Sequence, residues 1–272
     1  MLKTRVITAL VLLAVLVPVL FSGSPLAFTA VSALFVMAAM WENQRLFNKP
    51  AGLMIAVIWT AVFVFLSVRQ APFSLPMLFF VCSAFWLLGL VPCLRFGLPA
   101  TTSFQSGLIS GIYAVGIFGC FIAMQYLYLK SPAMLLSVLA LVWAADIGAY
   151  FFGRAFGRRK LAVTISPGKS WEGAIGGAVS VLLFAFACRF VPALADTFPA
   201  LLAKHENEVF FVGILLLISA ASVVGDLFES LLKRRVGMKD SSHLLPGHGG
   251  VLDRIDALIP VLPLVALLVS RW

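Results

Sequence analysis

The sequence predicts an all-α, polytopic integral membrane protein with about nine transmembrane helices and a cytoplasmic active-site loop before the last of them. Three observations lead there. Of the 272 residues, 62% are hydrophobic and only 11% are charged, whereas a soluble domain usually carries about 25% charged residues. Nine apolar runs recur along the chain, each approaching the ~20 residues that cross ~30 Å of hydrocarbon. The Lys and Arg residues between these runs are distributed unevenly, as they are in proteins with a fixed membrane orientation.

The first run, residues 6–21, follows Lys3 and Arg5 and precedes Ser22-Gly23-Ser24, a pattern shared with secretory signal peptides. Pro25 stands directly after the best cleavage position and a second run follows at once, so the segment is read as a retained helix. Residues 26–41, 51–68 and 73–91 are the next three runs, before a loop at 92–106. Residues 107–129 and 133–152 precede a loop at 153–172, and residues 173–191 precede one at 189–208. Asp196, Glu206 and Glu208 in that loop read as solvated charges. Residues 209–224 lead into a polar block at 225–256, and the last run, 257–269, is short unless it begins near Leu252. Residues 1–130 are therefore read as N-terminal transmembrane helices, and 131–272 as a C-terminal transmembrane region.

With the N-terminus inside, fifteen of the twenty basic residues face the cytoplasm and five, Arg69, Lys130, Arg189, Lys204 and Arg271, face outward. The net charge of +9 is thus a property of the cytoplasmic face, suited to anionic headgroups and nucleotide phosphates. Cys82, Cys93, Cys120 and Cys188 lie in or beside apolar runs without Cys-x-x-Cys spacing, which points to packing and not to zinc or disulfides. Gly168-Lys169-Ser170 resembles the end of a phosphate-binding loop, but Val163 stands where that pattern needs glycine. The glycines from Gly173 to Gly177 sit in an apolar run, where they permit close helix packing.

The polar block carries five of the eleven acidic and five of the twenty basic residues. Asp226 and Glu229 are three apart, as are Asp253 and Asp256, so each pair projects from one helical face and the pairs can converge across a helix interface. Such carboxylates are hard oxygen ligands suited to Mg²⁺. The plainer reading, helix caps paired with Lys233 or Arg254, accounts for one carboxylate better than for two pairs. Asp146, seven residues before Gly153, is costly in hydrocarbon and should face a polar cavity or a cation. Pro246-Gly247-His248-Gly249-Gly250 can bring backbone N–H groups close to a phosphate. Lys233, Arg234, Lys239 and Arg254 can clamp charge that builds during phosphoryl or nucleotidyl transfer. His248 can donate to a leaving phosphate, act as an acid, or hold the turn.

The block resembles the signature of the bacterial phosphatidate cytidylyltransferase (CDP-diacylglycerol synthase) family. It matches without departure at Ser230, Leu232, Lys233, Arg234, Lys239, Asp240, Ser242, Leu245, Pro246, His248, Gly249, Gly250, Val251, Asp253, Arg254, Ile255 and Asp256. The segments around Asp146 to Arg154 and Ser166 to Gly173 also look like the family, which commonly has a basic residue at the position of Gly168. Residues 1–129 offer only compatible hydropathy.

The resemblance implies that CTP and phosphatidic acid give CDP-diacylglycerol and pyrophosphate at the bacterial inner membrane, on its cytoplasmic side. The chemistry suits the residues, because a phosphatidate oxygen is already anionic and needs charge neutralisation and in-line placement more than a base. The implied site has Asp226 and Asp253 as principal Mg²⁺ ligands, with Asp146, Glu229 and Asp256 in the inner or outer sphere. Lys233, Arg254 and His248 act in catalysis, while Lys169, Ser230, Arg234, Lys239, Gly249 and Gly250 bind substrate. A homodimer and a second, monovalent cation are also implied, and the bilayer is a partner where nucleic acid is not. A CDP-alcohol phosphotransferase or lipid kinase is the alternative enzyme, but the Asp-Gly, Ala-Arg, Gly, Asp, Asp run of the former is missing. A transporter of anionic lipids would show internal repeats and paired broken helices, and neither is visible.

Overall fold

The computed structural model describes residues 2–69 and 75–272. The side chains of Lys3 and Arg5, and Phe73 at the expected start of the fourth run, lie outside the described residues. Helices α1 (Leu2–Phe21), α2 (Pro25–Leu46), α3 (Gly52–Arg69) and α4 (Leu75–Phe85) come first. A π-helical turn at Trp86–Leu90 joins α4 to α5 (Val91–Phe96). The chain continues through α6 (Phe104–Lys130) and α7 (Pro132–Phe156) to an antiparallel hairpin of β1 (Lys160–Ala162) and β2 (Ser166–Ser170). Then come α8 (Trp171–Phe190), the short α9 (Phe198–His205), α10 (Glu208–Arg235), α11 (Leu252–Ile255) and α12 (Leu258–Val269).

Local chemistry sets the helix starts. Ser24, Ser103, Ser131, Ser170 and Asn207 each accept a hydrogen bond from the N–H three residues on, satisfying a donor that the first helical turn leaves free. Pro25 and Pro132 occupy the first helical positions after two of these caps, where proline's missing N–H costs nothing.

Each expected apolar run is met by a helix, yet among the described residues seven, not nine, are long and apolar enough to span a bilayer. The two shorter ones are Val6–Phe21 and Leu258–Val269. The backbone at Asp256 (φ −48°, ψ −49°) and Ala257 (φ −66°, ψ −29°) stays helical, so α11 and α12 form a nearly continuous rod from Leu252. Three expected loops are partly ordered. Residues 92–96 prolong the fourth span as α5, the 153–172 loop folds into the hairpin, and 189–208 contains α9. Three- and five-residue strands are too brief to leave a period-two pattern.

Helix α12 packs against α4 and α6, while α10 bridges α8 and α12, so residues on both sides of Lys130 share one hydrophobic core. Helices α7 and α8 form the most intimate pair, and their glycines explain how. A Cβ at Gly177 would stand 2.6 Å from the Ala145 carbonyl oxygen, and one at Gly173 would stand 2.8 Å from that of Ala149. With no lipid-excluding drive between helices, small residues at the crossing supply the contact. Gly177→Ala is expected to cost about 1–3 kcal/mol by overpacking and to lower the melting temperature in detergent. Gly213→Ala, with nothing within 4 Å of the new methyl, should leave it unchanged or slightly raised. Equal melting of the two variants would refute this account of the α7–α8 crossing.

Candidate active site

The two acidic pairs converge. Asp226 and Glu229 share a face of α10, and Asp253 and Asp256 lie in and just after α11, which packs on α10. Lys233, one turn beyond Glu229, stands between them. Its Nζ is 2.8 Å from Glu229 Oε2 and 2.6 Å from Asp253 Oδ1. Glu229 is 0% exposed, Asp253 7% and Lys233 14%, so this is a buried ion cluster. Asp253 Oδ2 accepts three further hydrogen bonds, from Ser241 N (2.8 Å), Ser241 Oγ (2.9 Å) and Gly250 N (2.7 Å). Asp256 makes no ion pair among the described residues, and its Oδ1 accepts from Ala257 N at 2.8 Å. Glu229 Oε1 is buried and accepts no hydrogen bond from a nitrogen or hydroxyl group among the described residues.

A cavity of about 390 Å³ opens between α7, α8 and α10, with the hairpin at its edge. Its charged and hydroxyl-bearing lining includes Asp146, Tyr150, Arg154, Lys169, Ser170 and Asp226. Ala145, Ala149, Gly173 and Gly177 leave the space between them. Lys169 Nζ lies 2.5 Å from Asp226 Oδ2, and Ser230 Oγ donates to Asp226 Oδ1 at 3.3 Å. Because α7 continues to Phe156, Asp146 lies deeper than its distance from Gly153 suggests, and it faces the polar cavity that its depth demands.

The glycine turn is built differently from a bare phosphate cradle. Gly247 (φ +74°) and Gly249 (φ +82°) adopt the left-handed backbone that only glycine enters freely. Gly250 has no room for a side chain, since a Cβ would run into Ser241 Oγ and the Glu42 carboxylate. Its N–H is already donated to Asp253. Arg254 folds back on the turn, donating from Nε (3.0 Å) and Nη2 (2.6 Å) to the His248 carbonyl. His248 Nδ1 is buried without a partner among the described residues. Arg234 Nε donates to the Ile165 carbonyl of the hairpin at 3.3 Å, and Lys239 is exposed.

The structure therefore gathers Asp146, Lys169 and Asp226 on the cavity, with Glu229, Lys233, Asp253 and Asp256 behind them. His248, Gly249, Gly250 and Arg254 form a neighbouring turn and do not line the cavity. Sequence reasoning missed Glu42, which accepts from Ser242 Oγ (2.5 Å), Leu252 N (2.7 Å), Val251 N (3.0 Å) and Ser241 Oγ (3.2 Å). The only signal was a carboxylate at the end of an apolar run. It also missed Arg235, which ties α10 to the Leu46 and Pro99 carbonyls and lies over the Phe47 ring.

Among the described residues no three His, Cys, Asp or Glu side chains surround one point closely enough to enclose a metal. Mg²⁺ asks for less, since one or two carboxylates suffice when water and substrate phosphates complete the octahedron. Hard oxygens at Asp146 and Asp226 on one cavity, and an orphaned Glu229 oxygen nearby, fit that requirement.

The sequence pattern of the cytidylyltransferase family matches residues 3–272. The chain belongs to this family. A phosphatidate cytidylyltransferase of Haemophilus influenzae is 36% identical, covering 97% of this chain and 96% of its own length. Another from Pseudomonas aeruginosa is 38% identical over 98% and 97%, and one from Brucella suis is 44% identical over 48% of this chain. The family match thus takes in residues 3–129, including Glu42, where hydropathy was the only expected likeness.

Proposed function

We propose that the chain transfers the cytidylyl group of CTP to phosphatidic acid, giving CDP-diacylglycerol and pyrophosphate. The observation that carries this reading is the convergence of Glu229 and the signature carboxylate Asp253 on Lys233, beside a cavity lined by Asp146, Lys169 and Asp226. The family membership and the relatives named phosphatidate cytidylyltransferase support it.

In the transfer a phosphatidate oxygen forms a bond to the α-phosphorus of CTP while the bond to the β,γ-pyrophosphate breaks. The nucleophile is anionic, so the chain's task is to place two anions in line and to neutralise the charge that shifts onto pyrophosphate. Asp226 and Asp253 would hold Mg²⁺, with Asp146, Glu229 and Asp256 beside them, and the ion would supply Lewis-acid charge stabilisation. Asp253 keeps capacity for this, because Oδ1 accepts only the Lys233 proton and a carboxylate oxygen has two lone pairs. Lys169 reaches from the hairpin across the cavity and can move from Asp226 to a substrate phosphate. Arg234, Lys239 and Arg254 are exposed at this end of the protein, placed to draw in the triphosphate.

We place the site on the cytoplasmic side of the bacterial inner membrane, where CTP is. The fifteen-to-five charge split supports this. So does the Arg234 contact with Ile165, which keeps the basic hairpin and the basic end of α10 on one face.

Membranes containing the protein should convert labelled CTP and phosphatidic acid to CDP-diacylglycerol. Asp226→Ala and Asp253→Ala should each retain less than about a tenth of the activity at saturating Mg²⁺, and Asp196→Ala on the opposite loop should be near neutral. Activity above that level in both variants would remove the carboxylates from the transfer step. Topology has its own readout, because the four native cysteines are all buried. Val163→Cys in the hairpin and Asp196→Cys, both exposed positions, should label from opposite sides of intact cells. Labelling of both from outside would overturn the orientation.

A further inference from the structure

We propose that Glu42 is a positioning residue for the transfer, fixing the loop between α10 and α11 and, through the Ser241 hydroxyl, the orientation of Asp253. The inference rests on the cytidylyltransferase reading and extends it to the N-terminal helices. Glu42 is fully buried in α2. A carboxylate in that position is tolerable only when its lone pairs are satisfied, and here every donor comes from the signature loop. Oε1 accepts from Ser242 Oγ and Val251 N, and Oε2 from Leu252 N and Ser241 Oγ. These partners lie 199 to 210 residues away in sequence, so one side chain of the N-terminal half holds both ends of the 241–252 segment.

Ser241 extends the grip to Asp253. Its hydroxyl lies 2.9 Å from Asp253 Oδ2 and 3.2 Å from Glu42 Oε2. A serine has one hydroxyl proton, so it donates to one carboxylate at a time, and turning it toward Glu42 takes a donor from Asp253. The two carboxylates are coupled through that proton. A second observation is the fit of Gly250, whose missing side chain is what lets the turn close on Glu42 and Ser241. The frame behind Glu42 is firm. Asn43 Nδ2 donates to the Ser110 carbonyl of α6, and Arg235 fastens the end of α2 through the Leu46 carbonyl.

The test compares purified Glu42→Gln, Ser241→Ala and the double variant in detergent, with melting temperature, kcat and KM for CTP measured for each. Glutamine keeps the shape but sets an NH₂ group against N–H and O–H donors. Ser241→Ala leaves three of the four donors to Glu42 and carries the test if Glu42→Gln fails to fold. Expected are a kcat about 10-fold lower for Ser241→Ala and about 10²-fold lower for Glu42→Gln, with KM for CTP within about threefold of wild type. The double variant should match Glu42→Gln within about threefold, because both changes act on one link. Wild-type kcat in Ser241→Ala, or losses that multiply in the double variant, would overturn the coupling. A rise in KM with kcat unchanged would overturn positioning in favour of direct substrate contact. An inactive wild-type protein would sink the assigned reaction and this inference with it, whereas an active wild type with insensitive variants sinks only the role of Glu42.

Discussion

The arrangement of the C-terminal region depends on one buried ammonium. Lys233 is held between Glu229 and Asp253 at 2.8 and 2.6 Å, where all three groups have given up most of their water. Taking charges out of water costs several kcal/mol per ion, and their attraction offsets this only with close geometry and further hydrogen bonds. Asp253 meets that condition with three additional donors. Glu229 does not, since Oε1 accepts from no nitrogen or hydroxyl group among the described residues. A cluster so composed is a weak source of stability by itself. It also joins α10 to α11, so the segment between them must close into a compact turn. Gly247 and Gly249, with φ of +74° and +82°, are where it does so.

Helix packing determines where substrate can come. Small residues let α7 and α8 approach closely over Gly148, Gly173, Gly176 and Gly177, and the same absence of side chains leaves space beside them. Larger residues at Ala145, Ala149 or Gly173 would fill the cavity that they line. The composition that pulls the two helices together thus also exposes Asp146 and Asp226 to a common volume. The hairpin adds Lys169 from outside the bundle, and Glu172 accepts hydrogen bonds from the Arg158 and Arg159 N–H groups across its base.

Much of this was legible in the sequence wherever one regular period governs the outcome. Apolar runs mark where the helices lie, although two of the nine are too short to span a bilayer by themselves, and i, i+3 spacing marks the facing carboxylate pairs. Asp146 was readable because a charge far from a helix end has few tolerable surroundings. Periodicity is silent about contacts between distant segments. Glu42 lies about 200 residues from its four donors, and nothing local separates it from a solvated charge at a helix end. In the sequence Gly250 looks like an opening for phosphate, whereas its N–H serves Asp253 and its missing Cβ makes room for Glu42. The shortness of α12 resolves in the same way, since only the backbone at Asp256 and Ala257 reveals that α11 prolongs it.

Charge balance connects these features to the reaction. Among the described residues, five carboxyl groups, Asp146, Asp226, Glu229, Asp253 and Asp256, meet only Lys169 and Lys233 at close range, one through Asp226 and the other through Glu229 and Asp253. Both proposed substrates are anions, so the site by itself would repel what it must bind. Compensation has to arrive with the substrates or stand at the edge. Mg²⁺ suits the first role, because it is carried by nucleotide phosphates and accepts one or two protein carboxylates. Arg234, Lys239 and Arg254 suit the second, being exposed while two of them brace the hairpin and the glycine turn through carbonyl oxygens. Exposed basic groups of this kind would add attraction for a polyanion without entering the cavity, leaving its carboxylates free for a cation, and would favour the departing pyrophosphate, onto which charge moves in the proposed transfer.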